Sequence, residues 1–216
     1  MEQNRKIDKI VESLKQSKLL TDRKVLFFVI LITGVICTRF FMIEAYRTDS
    51  DYMEKGIQPG DYYLVNKFAN GYKLPFVQFR IFKLRGLKRS DVVVLAYPED
   101  PSKKLVYRIV GLPGDTVQIV NKRVYVNDRL YADPHVIHNE SGIIPEAQNP
   151  RDNTKPVKVP EYSYFVLGDN RDVAYDSRFW GCVKHDRIEG VAFFKYWSWD
   201  GENRKVRWGN VCKPID

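Results

Sequence analysis

The sequence predicts a mostly β domain preceded by one N-terminal transmembrane helix. Beyond residue 43, short runs rich in β-branched and aromatic residues are divided by Gly, Pro, Asp and Asn, a pattern typical of strands and turns. Residues 25–43 form a mainly apolar stretch of nineteen residues, close to the ~20 that a membrane-spanning helix requires. A chain of 216 residues is long enough for one sizeable domain and such an anchor.

Residues 1–24 form a basic leader that we expect to lie in the cytoplasm. Residues 5–20 place apolar side chains at helical spacing between charges, and basic residues beside a span favour the cytoplasmic side. The prediction is a single-pass protein of the cytoplasmic (inner) membrane, with residues 44–216 as an extracytoplasmic, periplasmic domain. The thirteen uncharged residues Val25–Cys37 also fit the core of a cleavable signal peptide. The long charged leader and the lack of a small-x-small cleavage site favour the anchor, and Arg39 can reach the headgroups with its long side chain.

Seven runs of strand length follow the predicted span. They are Tyr62–Val65, Val92–Tyr97, Leu105–Val110, Thr116–Val120, Val124–Asn127, Tyr162–Leu167 and Gly190–Trp197. Residues 121–123, Asn-Lys-Arg, predict a hairpin loop between two of these strands. Residues 131–160 contain several prolines and little periodicity, and we interpret them as a loop or small subdomain inserted on the core.

The composition narrows the classes of partner and cofactor. A net charge of +8 is compatible with nucleic acid or an anionic membrane surface. The basic residues are scattered and no nucleic-acid-binding motif is present, so we predict contact with membrane lipid and no nucleic-acid partner. The three cysteines have neither metal-ligand nor disulfide-scaffold spacing, and no metal or cofactor is predicted. Pairing of Cys182 with Cys212 is left open, and His135, His138 and His185 are assigned exposed or capping positions.

The clearest chemical pattern is a turn at residues 168–181, GDNRDVAYDSRFWG. An apolar run ends there in Gly-Asp-Asn, which predicts a strand that ends in a tight turn bearing three acidic residues and two arginines. Residues 60–67, GDYYLVNK, and residues 108–115, RIVGLPGD, also combine a strand, a Gly-Asp turn and clustered charge. A solvated, charge-rich loop would explain any one of these segments alone.

In this order and spacing, from about Arg39 to about Gly190, the three segments resemble the signature boxes of the type I signal peptidases, peptidase family S26. Members of that family are serine endopeptidases that cut signal peptides from exported proteins. The resemblance implies antiparallel β-sheets with a hydrophobic face that meets the membrane. It also implies signal peptides or preproteins as binding partners.

The resemblance assigns catalytic positions, and three of them carry an unsuitable residue. The family's nucleophilic serine, which is followed by Met and lies eight residues before the Gly-Asp of the second box, falls on Tyr52. Its general base, a lysine directly before the arginine of the third box, falls on Tyr107, and the serine that holds the lysine amine falls on Ala174. A phenol has a pKa near ~10, so it neither replaces a primary alkoxide nor acts as a base at neutral pH. Alanine has no hydroxyl to hold a lysine amine, and because all three positions have changed we predict that the Ser/Lys dyad is absent.

Other positions of the family pattern are kept. Ser50 matches the serine whose hydroxyl helps to stabilise the oxyanion, and Arg108, Asp176 and Arg178 match the charged groups that brace the site. We expect these three brace residues to form one charged cluster beside the substituted nucleophile and base positions. The loop at residues 49–57 has diverged most from the family pattern.

Three functions remain open. The first is a membrane-anchored signal peptidase homologue without peptidase activity, which binds signal peptides or a partner signal peptidase. The second is an active endopeptidase that removes signal peptides or matures a secreted or conjugative pilus subunit, with Ser50 as nucleophile and Lys55, Lys67 or Lys104 as base. The third is a structural module of a secretion apparatus. The substitutions favour the first function, whereas a hydrogen bond between Ser50 and a lysine amine would favour the second.

Overall fold

The computed structural model describes three parts of the chain, residues 23–73, 80–81 and 86–216. The chain divides into two compact units, with the boundary between Met42 and Ile43. The predicted basic leader, residues 1–24, lies outside the described residues apart from its last two positions, and so does the helical spacing predicted within it.

The first unit contains helix α1, Arg23–Phe41. Its apolar side chains from Leu26 to Ile32 are all about half-exposed or more. The predicted span at residues 25–43 is wrong at its C-terminal end, because Ile43 begins a β-strand and pairs with Asn66. Among the described residues, no helix is long and apolar enough to cross a membrane.

The second unit is mostly β, as the sequence predicts. Its strands are β1 Ile43–Arg47, β2 Asp61–Asn66, β3 Tyr72–Lys73, β4 Arg80–Ile81, β5 Val92–Ala96, β6 Lys104–Gly111, β7 Thr116–Val120, β8 Arg123–Val126, β9 Arg129–Leu130, β10 Val157–Lys158, β11 Ser163–Leu167, β12 Val183–Lys184, β13 Ile188–Asp200, β14 Lys205–Val206 and β15 Lys213–Pro214. A short helix, α2 at Ser177–Trp180, lies between β11 and β12.

In the part of the chain that the structure describes, nine strands form one antiparallel sheet in the order β1-β2-β13-β5-β6-β11-β12, with β14 and β15 also pairing with β13. β2 alternates buried and half-buried residues, the pattern of a strand with one face on the core. β5 and β11 are buried at every position, which agrees with their central places in the sheet and their apolar sequences. The antiparallel pairing implied by the resemblance is therefore confirmed.

A smaller sheet has the order β10-β7-β8-β9. The predicted hairpin loop between β7 and β8 has two residues rather than three, because Arg123 already pairs with Val120. Asn121 and Lys122 both have positive φ, at 50° and 67°, as a two-residue type I′ turn requires. β10, from the segment interpreted as an insertion, completes this sheet by pairing with β7.

Strand β6 supplies two side chains of the site. Because neighbouring residues on a strand point to opposite faces, these two side chains lie on the two sides of the sheet. On one face, Tyr107 packs in a core cluster with Leu95 and Ile109. The next residue, Arg108, faces the other side of the sheet, where Met53 packs in a second core cluster with Val106. Tyr52, in the β1–β2 loop, stacks on Tyr107, and Asp169, in the turn after β11, pairs with Arg108.

Candidate functional site

Two stacked tyrosines occupy the positions that the resemblance assigns to the nucleophile and the base. The rings of Tyr52 and Tyr107 lie 6.0 Å apart between centroids, with 21° between their planes. Tyr107 is fully buried, and its hydroxyl donates a 2.7 Å hydrogen bond to the main-chain oxygen of Tyr175. Burial raises the pKa of the Tyr107 phenol, and the nearby carboxylate of Asp176 raises it further. The hydroxyl is therefore held as a neutral donor.

The third substituted position, Ala174, packs beside the same loop. Gly168, at the end of β11, lies so close to it that a Cβ atom there would clash with the Cβ of Ala174 and come within 2.7 Å of the main-chain oxygen of Tyr52. That oxygen also accepts a 3.0 Å hydrogen bond from the amide of Asn170. The turn after β11 and the β1–β2 loop are thus joined through main-chain contacts, and the three substituted positions meet in one place.

The hydroxyl of Ser50 lies 3.3 Å from that of Thr48. Among the described residues, no lysine amine hydrogen-bonds Ser50. The three lysines considered as its base have other partners: the amine of Lys55 donates to the main-chain oxygen of Pro134, that of Lys67 pairs with Glu44, and that of Lys104 pairs with Glu189. The geometry that would favour Ser50 as an activated nucleophile is not observed.

The predicted brace consists of two separate buried ion pairs, not one cluster. Arg108 places Nε and Nη2 each 2.8 Å from an oxygen of Asp169. Arg178 makes the same two-pronged contact, with both distances 2.8 Å, to Asp176. Each carboxylate gives both oxygens to one guanidinium fork, so each arginine has its own counter-ion. The remaining nitrogen of Arg108 donates to the main-chain oxygens of Ser90 and Asp216.

Asp169 is one of the three acidic residues of the predicted turn, but it was not predicted to belong to the brace. It is fully buried, and its amide lies 3.4 Å from the sulfur of Met53, the residue after the nucleophile position. Asp169 therefore links the turn after β11 both to the buried Arg108 and to the β1–β2 loop. The signal that could have found it is its place in the Gly-Asp-Asn turn, where a carboxylate follows directly after a buried strand.

A second buried network lies under the β1–β2 loop and was also missed. The amine of Lys195, on β13, donates a 2.8 Å hydrogen bond to the main-chain oxygen of Gly56 and lies 3.7 Å from Asp61. Burial lowers the pKa of this lysine. Asp61 is fully buried and accepts the hydroxyl of Ser198, which is 137 residues away in the chain. No local pattern in the sequence can reveal a pairing over that distance.

The remaining candidates lie elsewhere. His135 contacts Asp133, His138 contacts Asp172, and His185 contacts the hydroxyl of Tyr164. Cys182 and Cys212, whose pairing the sequence left open, are both free thiols. Within the described residues, no three His, Cys, Asp or Glu side chains are grouped to hold a metal ion.

Comparisons with known proteins identify the family of the chain. The model of the family described as signal peptidase, peptidase S26, matches residues 21–197. The chain is 32% identical over 220 residues to signal peptidase I of Pseudomonas aeruginosa, with 88% of this chain and 77% of the relative covered. It is 33% identical over 175 residues to the probable signal peptidase I-2 of Synechocystis, with 78% and 68% covered. A crystal structure of a signal peptidase I from Enterococcus faecalis is 30% identical, covers 50% of this chain and 97% of its own, and has a TM-score of 0.40.

The family match and the two sequence relatives define the class of this chain as the peptidases and their homologues. The chain belongs to the signal peptidase family, peptidase S26, and the resemblance found in the sequence is confirmed.

Proposed function

We propose that this chain takes part in signal peptide processing as a membrane-anchored family member that does not itself cut peptide bonds. It would bind signal peptides, or a partner signal peptidase. The observation that carries the proposal is the stacked pair of Tyr52 and Tyr107, with the Tyr107 hydroxyl donating to the main chain.

The chemistry of peptide cleavage explains why this pair is decisive. A serine route needs a hydroxyl nucleophile and a base that takes its proton. Tyr107 cannot take a proton because its oxygen already carries one, and burial favours that neutral form. Tyr52 presents an aromatic ring in place of a small hydroxyl. In serine peptidases, such groups act as a unit whose loss costs about 10⁶ in kcat.

Ser50 also lacks the partner that it would need as an alternative nucleophile. Its hydroxyl neighbours Thr48, and the amines of the three candidate lysines are bound elsewhere. An unactivated serine hydroxyl is a weak nucleophile at neutral pH. The active-enzyme hypothesis therefore becomes an outcome of the test below.

The proposal includes the anchor. The proposal of an anchor rests on the sequence, in which seven basic residues precede the apolar stretch that begins at Val25 and favour a membrane segment with its basic end in the cytoplasm. Residues 44–216 would then face exported proteins on the outer side of the cytoplasmic membrane, where signal peptides emerge.

A cleavage assay with the full chain in detergent tests the proposal. We expect no cut of a preprotein and no covalent reaction with a serine-acylating inhibitor. The triple variant Tyr52→Ser, Tyr107→Lys and Ala174→Ser should restore weak cleavage, because nucleophile, base and the anchor of the base are then all present. Each single variant should stay inactive.

A matched control replaces the new base only. The variant Tyr52→Ser, Tyr107→Met and Ala174→Ser has a side chain of similar length without an amine, and it should not cleave. Clear cleavage by the unmodified protein that Ser50→Ala abolishes would contradict the proposal. Photo-crosslinking of a signal peptide then separates the two inactive functions, because a purely structural module would show no more crosslinking to that peptide than to a scrambled one.

A further inference from the structure

Two tyrosine hydroxyls share one exposed carboxylate beside the stacked pair of Tyr52 and Tyr107. We call Tyr52, Tyr97, Tyr175 and Glu99 the tyrosine–glutamate cluster. The hydroxyl of Tyr97 donates to one oxygen of Glu99 at 2.5 Å, and the hydroxyl of Tyr175 donates to the other at 3.3 Å. The hydrogen bond to Glu99 raises the pKa of Tyr97. Tyr52 borders this pair through Tyr107, on which it stacks and whose hydroxyl donates to the main-chain oxygen of Tyr175.

The rings of the cluster are fixed from behind. Tyr52 stacks on the buried Tyr107, and Tyr175 stacks on Phe179 with ring centroids 4.8 Å apart. The main-chain oxygen of Tyr175 accepts hydrogen bonds from Tyr107 and from the indole of Trp180. Rings held in this way lose little freedom when a ligand arrives, which favours binding.

The front of the cluster is open and negatively charged. Tyr175 is 38% exposed, Glu99 is exposed, and Tyr52 and Tyr97 are half-buried. Across the described residues, no lysine, arginine or histidine forms a salt bridge with Glu99. The neighbouring surface differs in this respect, since Glu189 is paired with Lys104 and Asp100 with Lys103. The partners of Glu99 among the described residues are therefore two tyrosine hydroxyls and no cationic side chain.

Aromatic faces combined with a carboxylate are suited to one class of ligand. A cation is attracted to the negative face of a tyrosine ring and to the carboxylate at the same time. We infer that the tyrosine–glutamate cluster binds the cationic side chain of a lysine or arginine in a bound peptide. The peptide rests on the proposed function, whereas the preference for a cation rests on the cluster alone.

Two capped amino acids test the cation preference without any signal peptide. We would titrate the full chain in detergent with N-acetyl-lysine methylamide and with its norleucine analogue, which has the same stem but no charge, and follow labelled tyrosine ring signals by NMR. We expect the lysine ligand to bind about tenfold more tightly and to shift the rings of the cluster. Glu99→Gln should reduce that preference to about twofold or less, since only the ring attraction remains.

A matched control is Glu189→Gln, a surface glutamate that is already paired, and it should keep the full preference. Equal binding of both ligands by the unmodified protein, or an undiminished preference in Glu99→Gln, would overturn the inference. Signal peptides that bind without any gain from a lysine scanned along them would overturn it while leaving the proposed function intact. Lysine-selective binding at the cluster by a protein that crosslinks neither a signal peptide nor a signal peptidase would support the inference and contradict the proposed function.

Discussion

At the scale of single residues, the site is held by arginine side chains that have no access to water. Arg108 is fully buried and paired with Asp169, and Arg178 is paired with Asp176 at side-chain exposures of 1% and 0%. A buried guanidinium is tolerated because both of its prongs, and most of its remaining donors, find oxygen partners. Removing a partner leaves a charge with neither water nor a counter-ion.

The Asp176→Ala variant tests this arrangement. We expect it to lower the free energy of unfolding by on the order of 3 kcal/mol, because Arg178 stays buried and the amide of Gly168 loses its acceptor. Chemical unfolding of the full chain measures the change. The control Glu161→Gln, an exposed position, should stay within about 0.5 kcal/mol of the unmodified protein. An unchanged midpoint for Asp176→Ala would show that the pair is not structural.

At the scale of elements, the site depends on how closely the turn after β11 approaches the β1–β2 loop. Gly168 allows that approach, since there is no space for a side chain between it and the main chain of Tyr52. We expect Gly168→Ala to cost about 1–3 kcal/mol, because overpacking forces one of two backbone segments to move. Thermal unfolding compares it with Gly142→Ala, whose added Cβ would meet nothing within 4 Å. Equal stability of the two variants would contradict the close approach.

A charged side chain in the turn after β11 also contacts the segment that follows β9. The side chain of Asp172, which is 1% exposed, accepts the amide of Glu140 and contacts Lys122 and His138. Burial by itself would raise the pKa of Asp172, but these partners together lower it to about 2. The folded pKa therefore lies below the unfolded value near ~3.9, so the carboxylate stabilises the fold above that pH.

This contact predicts a pH dependence. Its contribution should be complete above about pH 5 and should be lost as the pH falls toward 2. We expect Asp172→Asn to be less stable than the unmodified protein by about 2 kcal/mol at pH 7, and the difference to shrink in acid. Unfolding curves from pH 7 down to pH 3 measure it. A difference that stays constant over this range would mean that Asp172 does not titrate as its contacts indicate.

At the scale of the whole molecule, the proposed topology places the β unit outside the cytoplasm. We expect the chain to sediment with membranes, and protease added to intact spheroplasts to digest residues 44–216, because the seven basic residues before the apolar stretch favour the cytoplasm. Immunoblotting against a tag at each end follows the fragments. A β unit that is protected in intact spheroplasts but cut after permeabilisation would contradict this orientation.

The sequence by itself determined the family and the mostly β fold, because strands, turns and signature boxes are local patterns of neighbouring residues. It placed the strands well, since side-chain alternation and turn residues act over a few positions. The assignment of Tyr52, Tyr107 and Ala174 to the catalytic positions, each at a fixed offset from a box, stays a prediction.

Only the tertiary structure decided which of these residues meet, and how. Arg108 pairs with Asp169, 61 residues away, and Lys195 reaches Gly56, 139 residues away. Such partners depend on the order of strands in the sheet, and a shift of one residue would turn each side chain to the opposite face. The end of α1 was misplaced for the same reason, because Ile43 is as apolar as the helix before it and becomes a strand only through pairing with β2. The hydroxyl of Tyr175 likewise reaches Glu99, 76 residues away, only because the fold brings the two together.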